Sequence, residues 1–136
     1  MGIETIRVLL IEDNVGDCEL ILQMLEKSEN AKFKLIHTPR LVSGLNLLES
    51  GKFDIILLDL GLPDSVGLES FKAILDKHPV IPIIILTGLA NEEIGIKAIR
   101  YGAQDYLVKG EFNGKLLVRA IQYAIERKKL EGLFIY

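Results

Sequence analysis

One cysteine stands in 136 residues, so no intrachain disulfide can form and nothing in the thiol count argues for an oxidising compartment. Long uncharged apolar segments are also missing, which leaves no candidate membrane span. Glu4 and Arg7 stand where a signal peptide would carry its apolar core. Basic surplus is absent too: the formal net charge is -3, with Lys and Arg spread along the chain, so there is no electrostatic footprint for nucleic acid or an anionic membrane. There is no low-complexity segment and no residue-level repeat. These absences point to the cytoplasm, and to a basic partner or a bound cation.

What is present is apolar content of 49%, enough for one core and little more at this length. The expected organisation is one domain over residues 1–131, with 132–136 as a C-terminal tail. Four apolar runs end in reactive polar groups. Ile6 to Ile11 ends at Glu12 and Asp13, Phe53 to Leu58 at Asp59, Ile81 to Leu86 at Thr87, and Tyr106 to Val108 at Lys109. Short unbroken apolar runs between helix-patterned stretches read as strands buried on both faces. The pattern predicts strands over about 6–11, 33–37, 53–60, 81–87 and 103–108. Helices alternate with them over about 15–27, 40–50, a stretch through Phe71 and Leu75, 91–101 and 113–131. Asn14 is the expected N-cap of the first helix.

Five strand-helix units in strict alternation imply an α/β fold with right-handed crossovers, in which helices cover both faces of a parallel sheet. The expected strand order is 2-1-3-4-5, flavodoxin-like, with the first and third strands adjacent. Ligands of such sheets bind outside the carboxyl ends of the strands, so Glu12, Asp13, Asp59, Thr87 and Lys109 should meet at one edge. Adjacent strands lie about 4.8 Å apart, which brings the acids within a few ångströms of each other. Like charges so held raise a pKa or recruit a cation, and carboxylates with a backbone carbonyl suit Mg²⁺ better than zinc. A hard cation, a lysine and a hydroxyl beside a nucleophilic carboxylate can carry phosphoryl transfer. The reading assigns Asp59 as acceptor, with Asp13 a direct metal ligand, Glu12 an outer or water-mediated one and the Gly61 carbonyl a further one. Thr87 and Lys109 would bind the phosphoryl oxygens.

The segments Leu-Ile-Glu-Asp-Asn, Leu-Leu-Asp-Leu-Gly-Leu-Pro-Asp-Ser-Val-Gly, Ile-Leu-Thr-Gly and Asp-Tyr-Leu-Val-Lys resemble those of two-component response regulator receiver domains. The likeness runs from about Arg7 to Lys129. It implies a histidine kinase or phosphotransfer protein as phosphoryl donor to Asp59. Mg²⁺ would be held by Glu12, Asp13, Asp59 and the Gly61 carbonyl. Thr87 and Tyr106 become a switch pair, and Lys109 answers to the family's invariant lysine. Pro63 and Gly67 fit the loop after the acceptor. The resemblance departs at Gly110, where the family commonly has proline joined through a cis peptide. Gly61 and Leu89 occupy positions resembling those that tune phosphoryl lifetime. The resemblance also implies an output face made of the fourth helix, fifth strand and fifth helix, about Asn91 to Glu131.

Other readings carry less. A haloacid-dehalogenase-like phosphohydrolase needs a second Asp two residues after the nucleophile, and Gly61 stands there. A flavodoxin-like nucleotide or flavin binder needs a glycine-rich phosphate cradle, which Glu12 to Gly16 lacks. A degenerate receiver serving as a docking scaffold would not need the full set of polar residues. Cys18 reads as a small buried hydrophobe. His37 and His78 read as lone, solvent-facing residues at element ends, neither with a partner that would suggest a metal site or a base. The Arg127, Lys128, Lys129 run complements a helix C-terminus. Ile121, Ile125, Leu130 and the apolar tail Leu133 to Tyr136 extend the last helix beyond what a closed domain needs. This resembles receivers whose final helix leads into a linker, and it suggests a weak homodimer through the output face.

Overall fold

The computed structural model describes residues 4–88 and 92–132. Among the described residues ten elements alternate, strand then helix: β1 Thr5–Ile11, α1 Val15–Glu26, β2 Lys32–Thr38, α2 Leu41–Ser50, β3 Ile55–Asp59, α3 Leu68–Lys77, β4 Ile83–Thr87, α4 Glu92–Arg100, β5 Asp105–Val108 and α5 Gly114–Gly132. The strands form one parallel sheet in the order β2-β1-β3-β4-β5. The expected start of the fourth helix at Asn91, the Leu89 position and the tail Leu133 to Tyr136 lie outside the described residues.

Period-two alternation divides the central strands between two cores. Val8 and Leu10, Ile55 and Leu57, and Ile84 and Leu86 face one side, where Ile21 and Leu25 of α1 and Leu117 and Ile121 of α5 cover them. Leu9 and Ile11, Ile56 and Leu58, and Ile83 and Ile85 face the other, beneath Leu41 and Leu48 of α2, Phe71 and Ile74 of α3 and Ala98 of α4. Every residue of β3 and β4 is buried, which explains why these strands are apolar runs and not alternating ones. Burying each Leu or Ile contributes about 1.5–3 kcal/mol before the entropy of ordering is subtracted.

Local chemistry sets the helix starts. The Asn14 side chain accepts the Asp17 N–H at 2.9 Å, giving α1 its expected N-cap. Arg40 at the head of α2 makes no such bond. Its place is taken from a distance by Asp64, whose carboxylate accepts the Leu41 and Val42 N–H groups at 2.8 and 3.0 Å. These bonds, Val42 first, hold the Asp64 carboxyl below its ordinary value. They also tie the loop after β3, with Gly61 and Pro63, to α2. Among the described residues no helix is long and apolar enough to cross a membrane.

Candidate functional site

The sheet register delivers the polar groups. Ile11 pairs with Leu58, so the next residues, Glu12 and Asp59, emerge side by side at the carboxyl edge. Asp59 pairs with Leu86, placing Thr87 one step beyond, and Thr87 pairs with Val108, placing Lys109 next. The Lys109 N–H donates to the Thr87 carbonyl at 2.7 Å, which fixes the root of the lysine. The Lys109–Gly110 peptide is trans, and Gly110 takes φ +84°, a left-handed turn open to glycine at low cost.

Glu12, Asp13 and Asp59 each offer a carboxylate oxygen, and these oxygens lie within 4.8 Å of one another. Glu12 is fully buried, Asp59 is 7% exposed and Asp13 faces solvent. The Lys109 Nζ stands 2.5 Å from Glu12 Oε2, 3.1 Å from Asp17 Oδ2 and 3.3 Å from Asp59 Oδ2. Burial pushes Glu12 up to about 7, against the Lys109 and Asn14 hydrogen bonds that pull it down, while the Asp59 charge adds to the rise. Burial alone would lower Lys109, but the hydrogen bond to Glu12 and the charges of Asp59 and Glu12 outweigh it and keep the ammonium charged. An all-oxygen acid set with one face open to water fits a hard cation, and these three acids could hold one.

Two more observations fit an incoming oxyanion. Gly61 leaves the Asp59 carboxylate open on that side, where a Cβ would sit in van der Waals contact, 3.7 Å from Oδ2 and 3.9 Å from Oδ1. The Thr87 hydroxyl is buried and has no hydrogen-bond partner among the described residues, which costs about 1–3 kcal/mol unless a ligand supplies one. Tyr106 is half-buried on β5, and its ring packs so tightly on α4 that a Cβ at Gly95 would lie 2.7 Å from its Cγ. All six expected site positions of the carboxyl edge, Glu12, Asp13, Asp59, Gly61, Thr87 and Lys109, thus fall in one neighbourhood, with Tyr106 farther down β5.

One expectation is corrected, and the site gains two neighbours. His37 is solvent-exposed as expected, and its Nε2 lies 2.7 Å from the Glu12 carbonyl. β1 and β2 are in register with Leu10 beside His37, which is why the end of β2 reaches the acid corner. His78 is only partly exposed, and its Nε2 is buried without a hydrogen-bond partner among the described residues. Asp17, not singled out by its sequence, joins the lysine from the first turn of α1. Its spacing of three from the Asn14 cap is the signal that could have found it, for that turn begins at the same edge. Cys18 is buried as expected. Its burial pushes the thiol up to about 11, with the Glu12 and Asp17 charges adding, and Sγ donates weakly to the Glu12 carbonyl at 3.5 Å.

A doubly wound parallel sheet with an acid cluster, a lysine and a buried hydroxyl at its carboxyl edge defines a class of signalling domains. The chain belongs to the response regulator receiver domain family, which matches residues 8–122. It is a receiver domain of a response regulator in two-component signalling, a signalling domain and not a classical enzyme. Among curated proteins it is 37% identical over 123 residues to the cell cycle response regulator CtrA of Brucella ovis, covering 90% of this chain and 51% of that protein. The chain spans about half the length of the curated relatives it matches. Among solved structures, a response regulator receiver domain protein from Clostridium thermocellum superposes with a TM-score of 0.80 at 28% identity, covering 92% of this chain and 98% of that one. The signal receiver domain of a putative Luxo repressor protein from Vibrio parahaemolyticus gives the same TM-score and identity, covering 96% and 97%.

Proposed function

We propose that Asp59 accepts a phosphoryl group from the phosphohistidine of a histidine kinase or phosphotransfer protein, with Mg²⁺ as cofactor. A carboxylate oxygen of Asp59 forms the new O–P bond while the N–P bond of the donor breaks, and the freed imidazole nitrogen takes a proton. Glu12, Asp13, Asp59 and the Gly61 carbonyl would hold the cation, which supplies neutralising charge at the phosphoryl oxygens. Lys109 binds one of those oxygens by exchanging its contact with Asp59 Oδ2. The Thr87 hydroxyl donates to another, gaining the partner it lacks. The observation that carries this reading is the Lys109 ammonium within 3.3 Å of a buried carboxylate that is itself within reach of two further acids.

The output follows from that step. Movement of Thr87 toward the phosphoryl group opens space behind it for Tyr106, and the change is read on α4, β5 and α5. On that face α4 presents Ile96 and Ile99 to solvent, which supports a weak homodimer or an output partner there. The reading is tested by incubating the chain with Mg²⁺ and acetyl phosphate and following intact mass. Wild type gains one phosphoryl group and Asp59→Asn gains none. A wild-type chain that stays unlabelled favours a docking scaffold instead. A sedimentation run at high concentration, with and without a phosphoryl mimic, tests the dimer, and a monomer in both removes it.

A further inference from the structure

The Lys109 ammonium has three N–H donors, and three carboxylates stand around it: Glu12 at 2.5 Å, Asp17 at 3.1 Å and Asp59 at 3.3 Å. Asp17 is nearer to the ammonium than the acceptor is. It is also the one of the three that neither belongs to the acid group capable of holding a cation nor ends a strand. It sits in the first turn of α1, where any acid complements the helix dipole, so a plain helical role would leave its carboxylate in water. Instead its side chain is 32% exposed and turned onto Lys109, while its N–H is held by the Asn14 cap.

We propose that Asp17 is a positioning residue for phosphoryl acceptance, anchoring the Lys109 ammonium from α1 so that its remaining donor is aimed at the acceptor. The argument rests on Asp59 being that acceptor. A lysine is a point charge on a flexible four-carbon stem, and Lys109 is 23% exposed, so one contact with Glu12 leaves the head free to swing. Two contacts, from Glu12 just after β1 and from Asp17 on α1, restrict it to the third direction, which leads to Asp59. When Asp59 is esterified, the lysine exchanges that third contact for a phosphoryl oxygen and keeps the other two. No bond to Asp17 forms or breaks in the transfer.

Two measurements on the full chain test this. The first is the NMR signal of the Lys109 ammonium, which persists only where the head is held against exchange with water. It needs no phosphoryl donor. The second is the rate of acetyl phosphate labelling of Asp59 at saturating Mg²⁺. We expect Asp17→Ala to erase the ammonium signal and to slow labelling about tenfold, the scale set by a loosened positioning group. Asp17→Asn retains an acceptor oxygen and should keep the signal and stay within about threefold of wild type. Asp17→Ser, too short to reach the lysine but a tolerated first-turn residue, should match Asp17→Ala and serves if the alanine variant misfolds. An unchanged ammonium signal, or a wild-type labelling rate, in the variants that cannot reach Lys109 overturns the proposal. Should wild type fail to label, the acceptor reading falls, and the ammonium signal alone decides the Asp17 anchor.

Discussion

At the carboxyl edge of the sheet Lys109 meets three carboxylates, one fully buried and one nearly so. At the far end of α5 Lys128 faces Glu131 at 3.5 Å, Lys129 faces Glu126 at 3.6 Å, and Arg127 and Glu131 clasp Gln104 from two sides. Both neighbourhoods use the same side-chain types at similar separations. They differ in water. Exposed pairs such as Lys129 and Glu126 contribute 0–1 kcal/mol and fade with salt. At the carboxyl edge desolvation makes each charge depend on its neighbours, so none can be removed without changing the state of the rest.

Removing one partner on each side breaks the comparison most sharply. Lys109→Met leaves a buried acid group without its counter-charge. It should lower unfolding free energy by about 3 kcal/mol at neutral pH without divalent cation, measured in urea. Arg127→Met, made at the far end of α5, should stay within about 0.5 kcal/mol. Equal losses in the two variants would show that burial does not separate the regions.

The second effect is in pH. Glu12 has a folded pKa of about 7 against 4.5 unfolded, so the folded state holds its proton more tightly. Its contribution is fully present below about 4.5 and is lost as pH rises through about 7, a change on the order of 2 kcal/mol. Urea melts of the cation-free chain between those values should show this decline, and Glu12→Gln should flatten it. Asp64 carries the opposite sign, because the Val42 and Leu41 N–H groups lower its pKa. Its contribution is present above 3.8 and disappears as pH falls through the folded value. Asp64→Asn should therefore lower stability above 3.8, and melts carried below that pH should show the difference closing, a smaller change than that of Glu12. The smallest expected change is from salt: raising NaCl toward 1 M should leave the Lys109→Met penalty nearly intact while cancelling what Lys129→Ala costs.

Much of this architecture was readable from residue order. Unbroken apolar runs such as Phe53 to Leu58 and Ile81 to Leu86 marked strands covered on both faces, and strict alternation with helical patterns implied a parallel sheet. From that sheet the convergence of Glu12, Asp59, Thr87 and Lys109 followed, because strand ends share an edge. Strand limits were less legible. β3 begins at Ile55 and not at Phe53, since the ladder depends on a neighbour's hydrogen bonds and apolar character alone does not report them.

What only the tertiary structure decided are the contacts made by groups whose sequence neighbours say nothing about them. Asp64 caps a helix that begins 23 residues earlier. His37 reaches the Glu12 carbonyl across 25 positions, and Gly95 is opposed by the Tyr106 ring. Asp17 turns from the start of α1 to a lysine on β5's far end. Periodicity is a one-dimensional record of which face a residue buries, so it passes from sequence to fold intact. A hydrogen bond or an ion pair depends on a separation of about 3 Å between atoms of different elements. That separation is set by how the packed layers settle against one another.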